Sequence, residues 1–140
     1  MKQLSATVEV EVPFHDVDVM EVVWHGHYVK YFEVARCALL RMFDYDYPQM
    51  KESGYAWPIV ECQLKYVRPA RFGQVVKVKA TLAEFENRLR INYEVRDKSS
   101  GERLTKGLTT QVAVDVATGE LQLVSPPIVE EKLQLTWRNS

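Results

Sequence analysis

Cysteine is scarce: Cys37 and Cys62 are the only two in 140 residues, too few for a disulfide framework. Each falls in a segment of apolar periodicity, so both are expected as buried free thiols in a reducing cytoplasm. No apolar run approaches the ~20 residues that a membrane span requires. Met1-Lys2-Gln3-Leu4-Ser5-Ala6-Thr7 carries one lysine with no apolar stretch behind it, so no signal peptide is expected. Charge of one sign is not in excess either. Eighteen Lys and Arg face 19 Asp and Glu, interspersed, for a net charge of −1, without the basic stripe of a nucleic-acid binder. A Gly-rich phosphate loop, a Gly-x-Ser-x-Gly elbow and a Cys–His pairing are all missing, which leaves the common serine and cysteine hydrolase routes without support. No repeat, low-complexity tract or linker divides the chain, and residues 1–140 are expected to form one domain around one core.

What is present is an ordinary globular composition, 46% apolar and 26% charged, with clear changes of period. Val8, Val10 and Val12 alternate with Glu9 and Glu11, the period of a half-buried strand that Pro13 ends. From about His27 to Phe43 the apolar residues Tyr28, Tyr31/Phe32, Ala35, Leu39 and Met42/Phe43 recur at helical steps, which predicts an amphipathic helix. Its opposite side carries Lys30, Glu33 and Arg41. Asp44 to Pro48 break that helix, and a short irregular or helical piece reaches Gly54. Strands are then expected at 59–67, 76–82, 89–96, 104–116 and 120–124, with a short helix over 128–135. One long helix among antiparallel strands is an α+β layer design. The sheet needs a cover for its apolar face, and the helix at 27–43 is the only long candidate.

Between these elements the chain reads Asp16-Val17-Asp18, then Val22-Val23-Trp24-His25-Gly26-His27 and the helix. A negative charge, two imidazoles and a helix N-terminus therefore fall within a few residues of one another. Those parts suit hydrolysis of an activated acyl group: a carboxylate to attack or to activate water, and backbone N–H groups to hold an oxyanion. Taken alone, Asp18 reads more readily as a cap of a turn or of the helix. Asp16 reads as a hydrogen-bond acceptor that holds the loop, and His15 as a loop residue. His25 and His27 with either aspartate would make a possible metal-ligand set, but the spacing matches no tight signature and no metal is expected.

The blocks together resemble the hotdog fold, in particular the 4-hydroxybenzoyl-CoA thioesterase family with its YbgC-like acyl-CoA thioesterase branch. Asp16-Val17-Asp18…Val22-Val23-Trp24-His25…Tyr28 resembles that branch's Asp-Thr-Asp…Val-Val-Tyr-His…Tyr signature, with Trp24 in place of Tyr. Glu33-x-Ala35-Arg36 matches the central-helix motif. The run from Val60-Glu61 through Tyr66-Val67-Arg68-Pro69-Ala70-Arg71-Phe72-Gly73 resembles the second-strand block. Val112-Ala113-Val114-Asp115, Gly119 and Pro126-Pro127 resemble the final strand and exit. The likeness spans roughly residues 6 to 130. Two departures stand out: Val19-Met20-Glu21 replaces the Gly or Ala-Gly common after the second Asp, and His27 replaces an Asn or Ser.

The resemblance implies an antiparallel sheet of about five strands wrapped around one long helix. It implies an acyl-CoA thioesterase that releases a free acid and coenzyme A without a cofactor. Asp18 would be base or nucleophile, and the His25 amide an oxyanion donor at the helix N-terminus. The His25 imidazole could bind substrate or tune Asp18, or simply be hydrogen-bonded and partly buried. Trp24 and Tyr28 would line an acyl pocket, and Arg68 and Arg71 could meet the coenzyme A phosphates or be plain surface arginines. Some other hotdog thioesterases use a Glu as base, which makes Glu61 a rival; its place on the face opposite Val60, Cys62 and Leu64 suggests an exposed position or an ion pair instead. An acyl carrier protein could replace coenzyme A as thiol carrier. The family pairs sheets edge to edge, which implies a homodimer or homotetramer with sites at the interface. The alternatives are a non-catalytic hotdog module that binds acyl-CoA or an acyl carrier protein, and a hotdog dehydratase.

Overall fold

A computed structural model of the chain describes residues 3–24 and 26–139. Five antiparallel strands form one sheet in the order β1-β4-β5-β6-β3. They are β1 (Ser5–Glu11), β3 (Ile59–Tyr66), β4 (Val75–Glu84), β5 (Leu89–Asp97) and β6 (Arg103–Gln111). A two-residue pair, β2 (Tyr55–Ala56) with β7 (Val114–Asp115), stands beside it. The long helix α1 (His27–Met42) is joined by α2 (Tyr47–Glu52) and α3 (Pro127–Arg138).

The alternation that marks β4 and β5 in the sequence is the alternation of burial. Val76, Val78, Ala80 and Leu82 turn inward, as do Leu89, Ile91, Tyr93 and Val95, while the residues between them face outward. Against that inner face lies the stripe Tyr28, Tyr31, Phe32, Ala35 and Leu39 of α1, all buried. The Phe32 ring stacks on Tyr93 at 4.3 Å between centroids. Gly107 makes this approach possible. A Cβ there would come within 2.3 Å of the Gln63 carbonyl oxygen and 2.7 Å of the Phe32 ring, so only glycine lets helix and sheet close on each other. Of the helix motif, Ala35 and Arg36 are buried and Glu33 is exposed.

The structure corrects several boundaries. The strand expected over 104–116 is two: β6 ends at Gln111, and Val114 pairs with Ala56 of β2 rather than with the main sheet. No strand spans 120–124; the segment keeps a single bridge, Val114 to Leu121. Pro48 does not merely end a helix but sits in the first turn of α2, which Asp46 opens with a capping box to Gln49, a position where proline's missing N–H costs nothing. The alternation expected from Val60 through Cys62 and Leu64 is interrupted: the register slips between Ile59 and Glu61, which leaves Val60 unpaired in a bulge and exposed. Cys62 is exposed on β3, an edge strand, and Cys37 is partly buried; both are free. No described helix is long and apolar enough to cross a membrane.

Candidate functional site

Asp16 to Trp24 fold into a small hairpin. Val17 bridges Val23, the Asp18 N–H donates to the Val22 carbonyl at 2.9 Å, and the Glu21 N–H donates to the Asp18 carbonyl at 2.9 Å. Asp18 opens the turn at its tip, where its Oδ1 accepts from the Met20 N–H at 2.8 Å and more weakly from Val22 at 3.5 Å. Capping of this kind is what Asp does at turns, and it fixes the carboxylate with one oxygen. Among the described residues Oδ2 meets no donor, and the side chain is exposed. Glu21 closes the turn at φ +63°, in the left-handed region that glycine enters freely. This is the stretch where Val19-Met20-Glu21 stands in place of small residues, and the turn keeps a glycine-like path with a glutamate in it.

The hairpin is anchored at its root. Asp16 is completely buried, and its Oδ1 accepts from Lys30 Nζ at 2.6 Å while Oδ2 accepts from the Tyr31 hydroxyl at 2.6 Å. Burial alone would push its carboxyl up; the bonds from Lys30 and Tyr31 and the nearby charges of Lys30 and His27 outweigh this and hold it below the usual carboxylate range. Burial and the same bond to Asp16 push the Tyr31 hydroxyl well above the usual phenol range, so it stays a donor. Both Asp16 oxygens are thus engaged within the protein, by α1. Lys30 and Tyr31 are the residues that sequence reasoning missed here. They were read as solvent face and apolar face, and nothing local ties them to an aspartate 14 and 15 residues earlier.

The hairpin leads into α1, whose first turn carries no side-chain cap; the His27 N–H donates to the Trp24 carbonyl at 3.0 Å, and the other first-turn N–H groups have no partner among the described residues. Trp24 is exposed and lies edge-on to His27, ring centroids 5.6 Å apart. Gly26 gives the indole room, since a Cβ there would fall 2.1 Å from the ring. His25, expected as oxyanion donor, lies outside the described residues.

Tyr28 is buried, and its hydroxyl accepts from the Ala70 N–H at 3.2 Å. With Val22, Val23, Tyr66, Arg68 and Pro69 it lines a cavity of about 230 Å³. Val22 is shared: it lines the cavity, and its N–H faces Asp18 at 3.5 Å. Arg68 is exposed and paired with Glu102. Arg71 is exposed, its backbone bridged to Val22. A larger concavity of about 630 Å³ lies on the outer face of the sheet, among Lys65, Lys79, Asn92 and Lys106; it is polar and faces away from α1 and the hairpin. Glu61 also faces outward. Its carboxylate accepts from Thr110 at 3.0 Å, Gln63 at 2.9 Å and Arg90 at 3.3 Å, and these partners hold it below the usual range. No group of three His, Cys, Asp or Glu among the described residues could hold a metal ion.

Residues 12–133 match the Thioesterase-like superfamily. The chain belongs to this superfamily. A Synechocystis sp. protein, sll0410, provisionally named an esterase, is 34% identical over 90% of this chain and 76% of its own length. Bacillus subtilis YneP, provisionally named an acyl-CoA thioesterase, is 26% identical over 76% of this chain and 78% of its own. Among solved structures, the hypothetical protein TT1821 of Thermus thermophilus superposes with a TM-score of 0.81 at 30% identity, covering 94% of this chain and 98% of that one. The DHNA-CoA thioesterase of Staphylococcus aureus superposes with a TM-score of 0.82 at 24% identity over 96% and 91%. The fold of this thioesterase-like chain is accordingly the hotdog, a sheet curled on one long helix.

Proposed function

We propose that this chain hydrolyses acyl-CoA thioesters, releasing a free carboxylic acid and coenzyme A. The observation that carries the reading is the Asp18 carboxylate, with one oxygen pinned by its own turn and the other without a partner among the described residues, held by a turn whose Val22 also lines a small cavity beside Tyr28 of α1. A thiolate leaves without a strong acid, so one carboxylate and an oxyanion site suffice. The open oxygen either attacks the thioester carbon, expelling the thiolate and leaving a mixed anhydride that water then hydrolyses, or takes a proton from the water that attacks that carbon as the thiolate leaves. N–H groups at the uncapped start of α1, that of His25 among them, receive the developing oxyanion. Trp24 and Tyr28 flank the acyl group, and Arg68 and Arg71 attract the phosphates of the thiol carrier; Arg68 must first leave Glu102. An acyl carrier protein presents the same pantetheine arm and serves equally as carrier. The superfamily and the acyl-CoA thioesterase name of YneP support thioester hydrolysis in general.

The same reading includes a homodimer or a homotetramer. Strand β3 ends the sheet with its far side unpaired, and it exposes Ile59, Val60 and Tyr66, an edge that solitary proteins usually blunt. The apolar hairpin tip, with Val19 almost fully and Met20 largely exposed, belongs to the surface that a second copy would cover. Its two free thiols suit a reducing cytoplasm.

A binding module without activity is the second reading, favoured by the strained Glu21 in the turn. Thiol release from a panel of acyl-CoAs separates the two. Turnover of at least one acyl-CoA is the expected result; tight binding of acyl-CoA with no thiol released would replace hydrolysis by recognition. Gel filtration is expected to give a dimer or larger, and a fully active monomer would sink a site shared between subunits.

A further inference from the structure

The chemistry proposed for Asp18 leaves unexplained the carboxylate two residues before it. Asp16 is completely buried at the root of the hairpin that carries Asp18. Its main-chain carbonyl accepts from the Trp24 N–H at 3.1 Å, and the next residue pair, Val17 and Val23, bridges the two limbs. Its side chain reaches the other way, to Lys30 and Tyr31 in the first turns of α1, at 2.6 Å each. One residue thus joins the hairpin to the helix start, the two parts that must share a single carbonyl group in the proposed reaction. A shift of that joint by an ångström moves the Asp18 oxygen relative to the helix N–H groups, and misplacement on that scale is costly to catalysis.

The joint also carries charge. Asp16 stands at the root and Asp18 at the turn of the same small hairpin, so a charge gained or lost at the root is felt along the hairpin. Lys30 supplies the compensating cation, bonded directly to Asp16. Among the described residues, the remaining groups that face Asp16 are His15 from its own 3-10 turn and His27 from α1, each with a ring nitrogen 3.5 Å from Oδ1, and Tyr31, which stays neutral. Lys30 and Tyr31 therefore differ in kind. Both position Asp16, but only Lys30 brings charge.

We propose, resting on the reading that Asp18 is the reacting carboxylate, that Lys30 is a positioning residue for the thioester reaction: through Asp16 it holds the Asp18 hairpin against α1 and offsets the charge beside it. Tyr31 shares the first role and not the second. The geometry of the clamp then appears in kcat, and its charge in the pH at which activity is lost on the acid side. The cavity walls Val22 and Tyr66 are untouched, so KM stays near its original value.

The test is thiol release against pH at low salt, with melting curves to verify that each variant is folded at the assay temperature. Lys30→Met is expected to lower kcat about tenfold and to move the acid limb of the profile to higher pH by about half a unit, the size of one charge several ångströms away in partly wet surroundings. Lys30→Arg is expected to restore the limb. Tyr31→Phe is expected to lower kcat several-fold with the limb in place. His15 and His27 are common to every variant, so their charge cancels in the comparison. A folded Lys30→Met with unchanged kcat and profile overturns the proposal, and so does a Tyr31→Phe limb that shifts as far as that of Lys30→Met. Asp18→Asn distinguishes the two levels. If it abolishes thiol release while Lys30→Met changes nothing, the positioning role alone fails; if it hydrolyses at full rate, the reading of Asp18 fails and takes the inference with it.

Discussion

Replacing Asp16 by alanine removes the acceptor of two bonds at once, and the structure sets the size of the effect. Lys30 is about half exposed, at 48%, and regains water when its partner goes. Tyr31 cannot: it is 2% exposed, and a buried hydroxyl left without an acceptor costs about 1–3 kcal/mol. A hydrogen bond to a charged group contributes about 1.5–3 kcal/mol. The two figures overlap, because they describe partly the same bond, so Asp16→Ala is expected to destabilise by about 2–4 kcal/mol. For a domain of this size that lowers the melting temperature by roughly 6–15 °C. Tyr31→Phe alone should cost about 1 kcal/mol, and the double variant should cost less than the sum, since the hydroxyl that Asp16→Ala strands is already gone. The effect is linked to pH. Because the folded protein holds the Asp16 carboxyl below its ordinary value, its stabilisation is fully present above the unfolded value of about 3.9 and is lost as pH falls through the lower folded value. Denaturant titrations of wild type and Asp16→Asn should therefore differ by a constant amount from pH 7 to 5 and begin to approach each other only below about pH 4. A variant melting within 2 °C of wild type, or strict additivity with Tyr31→Phe, would refute the clamp.

Glu21→Gly should stabilise by about 1 kcal/mol, read as a higher denaturation midpoint, because glycine adopts the φ of +63° without strain. Gly107→Ala should cost about 3 kcal/mol or abolish folding, since the new Cβ meets a backbone oxygen and the Phe32 ring at 2.3 and 2.7 Å; expression and thermal melting report it. Glu61→Gln should leave thiol release within a factor of two, because that carboxylate faces outward into bonds with Thr110, Gln63 and Arg90. A large loss there would return Glu61 to the role of base.

The helix, the hairpin-linked strands and the turn at Asp18 were legible in the sequence because each is written in contiguous residues. The period of Tyr28, Tyr31, Phe32, Ala35 and Leu39 is the buried face of α1, and the alternation in β4 and β5 is the inner face of the sheet. What stayed hidden depends on partners far along the chain. No proline or turn cluster interrupts 104–116, yet Val114 leaves the sheet and pairs with Ala56 of β2. The slip at Val60 follows from pairing with β6 rather than from any residue within β3. At the site, Asp18 could be named from its motif, whereas the clamp on Asp16 exists only once α1 folds back over the loop and brings Lys30 and Tyr31 to it.

Asp18 carries the proposed chemistry, and one substitution probes it directly. Coenzyme A thiol release by wild type and Asp18→Asn, compared on the best acyl-CoA of the panel, is expected to fall by a factor of about 10² to 10⁴, the range a positioned carboxylate contributes. Acyl-CoA binding should be retained. An asparagine variant that releases thiol as fast as wild type would contradict that role.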